Sequence, residues 1–132
     1  MVKVLLDADA LIALAKPDDS NHQKAIGLAS SIKQARIYTT PFTIPEATTV
    51  ISYKLSQTAA KKFLIENRKK KFIELKLTPS IVQKADEVFI KQRAKGTSWI
   101  DCLNVAIAQA YRLDKIFSFD HFYQKWQLLL KI

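Results

Sequence analysis

Four acidic residues of this chain, Asp7, Glu46, Asp101 and Asp120, occupy positions from which a fold could bring them together. Asp7 ends the apolar run at 2–6, and Asp120 directly follows a second run at 116–119. Glu46 and Asp101 fall in the first turns of two segments with helical apolar spacing. Carboxylates that converge repel one another and lose solvation, so a cluster of them needs a compensating cation. An all-oxygen donor set suits Mg²⁺, with Mn²⁺ as the alternative. Such an ion can acidify a water molecule, hold a scissile phosphate and stabilise the leaving oxygen.

Taken singly, each acid has a plainer explanation, because strand ends and first helical turns favour residues that cap backbone N–H groups. Asp101 fits that explanation least well. It opens the most apolar segment of the chain, Cys102, Leu103, Val105, Ala106, Ile107 and Ala108, and buried acids are seldom left unpaired. Asp9 and Asn104 are possible additions to the metal set. Asn104 lies one turn beyond Asp101, where it could meet metal-bound water, substrate or Asp101 itself. Trp99 is a base-stacking or a core aromatic, and His121 a proton carrier or a surface residue. Neither histidine has a zinc-like spacing. The single cysteine, Cys102, excludes an internal disulfide and reads as a buried thiol.

Strands and helices alternate in the order needed to position these acids. Apolar runs at 2–6, 37–39 and 116–119 and an alternating run at 72–77 read as strands, with a last strand at 127–130. Helices are expected at 10–15, 22–34, 43–55, 57–69, 99–111 and, briefly, 122–125. Another starts at the Thr78 cap with Pro79 in its first turn. On 22–34 the apolar face is read as Ile26, Ala29 and Ile32. Alternation of this kind predicts an α/β fold, a three-layer α/β/α sandwich around a mostly parallel sheet, in one domain spanning 1–132. In such sheets ligands lie beyond the carboxyl ends of the strands, where Asp7 and Asp120 stand.

The chain has 21 Lys and Arg against 12 Asp and Glu, a net charge of +9, which favours polyanions among possible partners. Basic residues crowd at 61–62 and 68–71, and again at Lys91, Arg93 and Lys95. The second group directly precedes the Asp101 helix and is the patch expected to meet a phosphate-backbone substrate. The chain enters its first strand without a signal peptide, and no apolar stretch is long enough to span a bilayer, so a cytoplasmic protein without membrane attachment is expected.

With these residues in view, the chain resembles the PIN-domain family and, within it, the small VapC-type toxins. Val2 through Leu14, with Asp7 and Asp9, is similar to the family's opening motif. Pro45-Glu46-Ala47 stands where its glutamate begins a helix. Trp99 through Ala108 resembles the third motif, and Phe117 through Phe122 the last, with Ser118 in the usual Ser/Thr place. The resemblance implies a parallel sheet between helices and Mg²⁺ or Mn²⁺ held by Asp7, Glu46, Asp101 and Asp120. It implies cleavage of RNA, a small cognate antitoxin as partner, and a homodimer. Ser118 joins Lys91, Arg93 and Lys95 in the expected substrate-binding set, and no organic cofactor is called for. Asp9 departs from the family's usual Asn, Ser or Thr and is either a fifth ligand or an aid to metal binding.

Other readings share fewer features. A haloacid-dehalogenase-like hydrolase would have Gly and then Thr or Val after its second aspartate, where this chain has Ala10 and Leu11. A receiver domain needs an aspartate near the end of its third strand, and 54–76 offers only Glu66 and Glu74. A housekeeping RNA-processing nuclease would use the same acids. A basic RNA-binding module without catalysis would have no need of all four.

Overall fold

The computed structural model describes residues 1–131; Ile132, the last residue of the expected domain, lies outside them. In chain order the elements are β1 (Lys3–Leu6), α1 (Ala8–Ala15), α2 (His22–Ser31), β2 (Arg36–Thr39), α3 (Thr43–Lys54) and α4 (Gln57–Arg68). β3 (Ile73–Glu74), α5 (Pro79–Ile90), α6 (Trp99–Ala110), β4 (Lys115–Phe117) and a 3-10 helix (His121–Trp126) follow. The strands form one parallel sheet in the order β3-β2-β1-β4.

Alternation along β1 assigns the two layers of helices. Successive side chains of a strand point to opposite faces. Val4 and Leu6 pack with α1, α2, α3 and α4, including Leu11, Leu28, Ile51 and Phe63. Leu5, between them, packs on the other side with Leu103, Ile107, Ile81 and Tyr123. The expected three-layer α/β/α arrangement follows, with β1 buried on both faces. α6 explains its composition in the same way, since every side chain from Cys102 to Ala108 is buried. Among the described residues no helix is long and apolar enough to cross a membrane.

Local chemistry sets the element ends. Ser56, Thr78 and Ser98 cap α4, α5 and α6 through their hydroxyls. Asp7 accepts the Ala8 N–H at 2.8 Å and starts α1 two residues earlier than its apolar spacing indicates.

Three expectations need correction. The last strand, 127–130, is an isolated bridge between Ile116 and Leu129. Gln127 adopts a left-handed conformation (φ 57°) at the end of the 3-10 helix, and Leu128, Leu129 and Leu130 are all buried in succession rather than alternating. The 72–77 strand contracts to two residues that pair only with β2, at the sheet edge where Ile73 is exposed. On α2 the buried residues are Ala25 and Leu28, while Ile26 is 47% exposed. Ala29 and Ile32 are partly buried and pack against the core as expected, so of the three only Ile26 falls outside the stripe that meets it.

The α2 correction can be measured. Leu28→Ala should destabilise the fold by about 2–5 kcal/mol, as for other buried leucines. Ile26→Ala should cost less than about 1 kcal/mol. Urea unfolding of both variants makes the comparison; equal losses would restore Ile26 to the core face.

Candidate active site

The strand order places a crevice between β1 and β4. From β1 the chain winds outward through β2 to β3, then crosses back by α5 and α6 to lay β4 on the other side of β1. Ligands of open α/β sheets bind at such a reversal, beyond the strands' carboxyl ends. Asp7 follows β1 directly, and Ser118, Phe119 and Asp120 follow β4. Glu46 comes from the first turn of α3 on one face of the sheet and Asp101 from the first turn of α6 on the other.

Asp7 is the buried centre of the site. Its Oδ1 accepts from Ala8 N (2.8 Å) and from Asn104 Nδ2 (3.4 Å). Its Oδ2 lies 3.0 Å from Ser118 Oγ and 2.9 Å from the Tyr123 hydroxyl. The same two hydroxyls reach further acids. Ser118 Oγ is 3.1 Å from Asp9 Oδ2, and the Tyr123 hydroxyl is 2.9 Å from Asp101 Oδ1. Asn104 Nδ2 also donates to the Tyr123 oxygen at 3.0 Å.

Four oxygen–oxygen contacts are thus served by two hydroxyls, each with a single proton to donate. All four are satisfied when Asp7 is ionised and accepts from both, while Asp9 and Asp101 are protonated and donate back. Burial, with the Asp7 charge next, pushes both Asp9 and Asp101 up to about 7. Burial raises Asp7 as well, opposed by Tyr123, Ser118 and the Ala8 N–H. With four donors gathered on it, Asp7 is where a negative charge is best held. The Tyr123 phenol is pushed up by burial and by the Asp7 and Asp101 charges, so it stays protonated.

Asp9 also accepts the Phe119 N–H at 2.9 Å, so one carboxylate oxygen straps the end of β4 to the first turn of α1. Its other oxygen, Oδ1, is buried without a hydrogen-bond partner. Glu46 is raised by partial burial and then by the Asp7 charge. Asp120 caps the 3-10 helix through Phe122 N (2.9 Å) and, with Asp101, lines an open cleft of about 500 Å³.

The structure therefore brings Asp7, Asp9, Asp101 and Asn104 into one network, with Asp120 adjoining it and Glu46 within the reach of the Asp7 charge. Among the described residues, no three carboxylate, imidazole or thiol groups already stand at the spacing of a metal cage. The chemistry of the donor set nevertheless fits a hard divalent cation: all oxygen, mutually repelling, and with Asp9 Oδ1 unpartnered.

Of the expected substrate-binding residues, Lys95 lines the cleft, while Lys91 and Arg93 are exposed and do not. Ser118 is 2% exposed, and its hydroxyl contacts are with the acids. Trp99 donates its ring N–H to Asp86 (2.8 Å), and Cys102 is buried. His121 lines the cleft. Tyr123 escapes a reading of the sequence. Its signal there is faint: an aromatic hydroxyl three residues after Asp120 in a short helix, which needs a polar partner once buried.

A protein-family model described as PIN domain matches residues 4–125. No curated protein sequence is similar enough to this chain to count as a relative. Among solved structures, the chain is similar to VapC20 of Mycobacterium tuberculosis, described as a Sarcin-Ricin loop cleaving toxin. The TM-score is 0.85 at 16% identity, over 97% of this chain and 98% of that one. It is also similar to VapBC2 of Rickettsia felis, solved bound to a DNA fragment from its promoter. There the TM-score is 0.66 at 14% identity, over 98% and 96% of the two chains. At these identities the likeness speaks for the fold.

The proton count gives a pH dependence. Asp9 and Asp101 sit near 7 in the folded chain against 3.8 for an ordinary aspartate. The native state therefore holds extra protons between those values, and its stability falls as pH rises through that window. Each extra proton contributes at most about 1.4 kcal/mol per pH unit, and Asp101, partly open to solvent, contributes less. Melts in EDTA should show the melting temperature declining from about pH 5 to pH 8, with a shallower decline in Asp9→Asn and in Asp101→Asn. Parallel curves for all three proteins would refute the shared-proton network.

Proposed function

The chain belongs to the PIN domain family, and from that membership and the acid cluster we propose that it is a metal-dependent endoribonuclease, the toxin of a type II toxin–antitoxin pair. The observation that supports this most is the gathering of acids around Asp7 at the sheet's reversal point, on elements from both faces. The likeness to a structure described as a cleaving toxin and to a toxin–antitoxin complex supports the same reading.

Asp7, Glu46, Asp101 and Asp120 would hold Mg²⁺ or Mn²⁺. When bound, the cation would neutralise the carboxylates, polarise the phosphoryl group and make a water molecule more acidic. The rest of the work falls to the chain. Ser118, Tyr123, Asn104 and the Ala8 N–H fix the Asp7 carboxylate. Tyr123 joins it to Asp101, so that α1, α6 and the 3-10 helix carry their acids as one unit. Asp9 fixes the segment that presents Asp120. Lys95, on the cleft wall, offers charge to the RNA backbone.

A single nuclease domain over 1–132, working in the cytoplasm, fits this role. Its partners would be a small antitoxin and a second copy of the chain. The exposed apolar residues Tyr53 and Leu55 at the α3–α4 turn, Ile65 on α4 and Ile90 at the end of α5 are available for such contacts.

Asp101→Asn tests the proposal. The amide keeps the shape of the carboxylate but removes the charge that offsets a cation. Cleavage of a labelled RNA pool at saturating Mn²⁺ should fall by more than roughly 100-fold, the upper range for losing even an outer partner of a metal ligand. The EDTA melting temperature should hold or rise, since one member of a repelling set is gone. Cleavage within threefold of the parent chain would remove Asp101 from the site and sink the four-acid reading.

A further inference from the structure

Resting on the ribonuclease reading, we propose that Lys125 is a fixed anchor for a phosphodiester of the RNA strand flanking the scissile bond, held on the wall of the cleft that contains Asp101 and Asp120. The sequence gives no hint of it: Lys125 is one lysine among many and lies outside both basic runs.

Its surroundings set it apart. The Lys125 ammonium lies 4.8 Å from the centre of the Phe122 ring and 4.7 Å from that of Trp126. It also donates to Gln92 Oε1. That amide is itself oriented, because Gln92 Nε2 donates to the Val88 carbonyl at 2.8 Å at the end of α5. Two aromatic faces and one clamped amide thus hold a side chain that would otherwise sample many rotamers, and a pinned lysine loses less entropy when it takes a ligand.

The charge so held is not consumed within the protein. Among the described residues the ion pairs are Lys16–Asp18, Lys62–Glu66 and Arg68–Glu74. Lys125 lines the same cleft as Asp101 and Asp120 yet pairs with neither. An ammonium has three protons, and Gln92 takes one. The remainder suit a ligand that is anionic and yet tolerates two carboxylates nearby. A divalent cation would offset the two carboxylates, and a phosphodiester flanking the one held by that cation would reach Lys125 as part of the same strand. Lys95, on the exposed loop between α5 and α6, supplies a second charge to the same cleft.

The test is equilibrium binding of a labelled phosphorothioate RNA in millimolar Mg²⁺ across a salt series, with Mg²⁺ affinity measured separately by calorimetry. Lys125→Met keeps the aliphatic stem on the rings and removes the charge. It should weaken RNA binding about five- to tenfold and flatten the slope of log affinity against log salt by about 0.7, the share of one phosphate contact on a single strand. Lys125→Arg should restore the slope. Lys91→Ala, an equal change of charge outside the cleft, should have less than half the effect on affinity. Removing a cation near the acids should leave Mg²⁺ affinity unchanged or tighten it up to about threefold; a local collapse of the 3-10 helix would weaken it. Lys125→Gln repeats the charge removal with a polar side chain should Met disturb the fold. If the parent chain binds RNA and both neutral variants match it in affinity and slope, the anchor is refuted while the nuclease reading stands. Mg²⁺ binding that weakens in both neutral variants, or RNA loss equal to that of Lys91→Ala, also overturns it. A parent chain that binds no RNA in Mg²⁺ overturns both readings.

Discussion

A buried carboxylate at the carboxyl end of the central strand is costly to fold, and Asp7 places its neighbours under that cost. Without a cation, its charge is held by a backbone N–H, an amide and two hydroxyls. Those same hydroxyls lie against Asp9 and Asp101, and burial, with the charge on Asp7 next, raises the proton affinity of both. The geometry of the cluster is that of carboxyls sharing too few protons. A divalent cation is the other way to satisfy it, because a cation draws ionised carboxylates together where protons must otherwise separate them. Stability and metal affinity are therefore opposite sides of one arrangement: substitutions that relax the cation-free protein reduce what it offers to the ion.

The fold makes this cluster possible by bringing acids from both faces of one parallel sheet to the same edge. α3 carries Glu46 from one layer and α6 carries Asp101 from the other, each in a first turn where helix dipoles favour negative charge. α6 is buried from Cys102 to Ala108, which leaves Asp101 little freedom to retreat into solvent by moving its helix. Ser118, Asp9 and Tyr123 then tie the start of α1 to two neighbouring places far along the chain, the end of β4 and the 3-10 helix. The 3-10 helix thus serves the site directly. One of its side chains points inward to the acids, and another is held on the cleft wall.

Much of this was legible in the sequence, and what was not has identifiable causes. An apolar run ending in an acid, or an acid opening an apolar helix, is a local pattern, so Asp7, Glu46, Asp101 and Asp120 stand out along with most helices and three strands. Asp9 is visible as an acid, but whether it ties down a loop depends on Phe119, 110 positions away. Tyr123 is hidden because burial of its hydroxyl among carboxylates is a tertiary fact. The α2 face was misread since Ile26 and Leu28 carry similar hydrophobicity and only packing on β1 chooses between them. The last strand failed for a related reason: three consecutive leucines buried by irregular backbone look the same, as a string, as an inward-facing strand. Nearness in sequence to the Asp101 helix drew attention to Lys91, Arg93 and Lys95, but nearness along the chain says nothing about which lysine is held still.

That distinction matters for the proposed nuclease, whose site would attract two ligands of opposite sign. Carboxylates dense enough to hold a cation repel an RNA backbone, and lysines dense enough to hold RNA repel the cation. Placing both in one undivided pocket would let them neutralise each other through internal ion pairs, leaving little for either ligand. Here Asp7 lies in a pit, tied by hydroxyls and an amide, while Asp101 and Asp120 open on the cleft that Lys95 and Lys125 also line, so the cations there have to be held off the acids. Phe122, Trp126 and Gln92 keep Lys125 from swinging onto Asp101 or Asp120, and do so without a competing negative charge. In the proposed nuclease the net charge of +9 would serve as a diffuse attraction for a polyanion, effective at the distance of a Debye length, and the pinned ammonium would convert that attraction into a register along the strand. Separating the two charges by packing, rather than by distance alone, is what would allow the proposed nuclease to hold a metal ion and a phosphate backbone side by side in so small a domain.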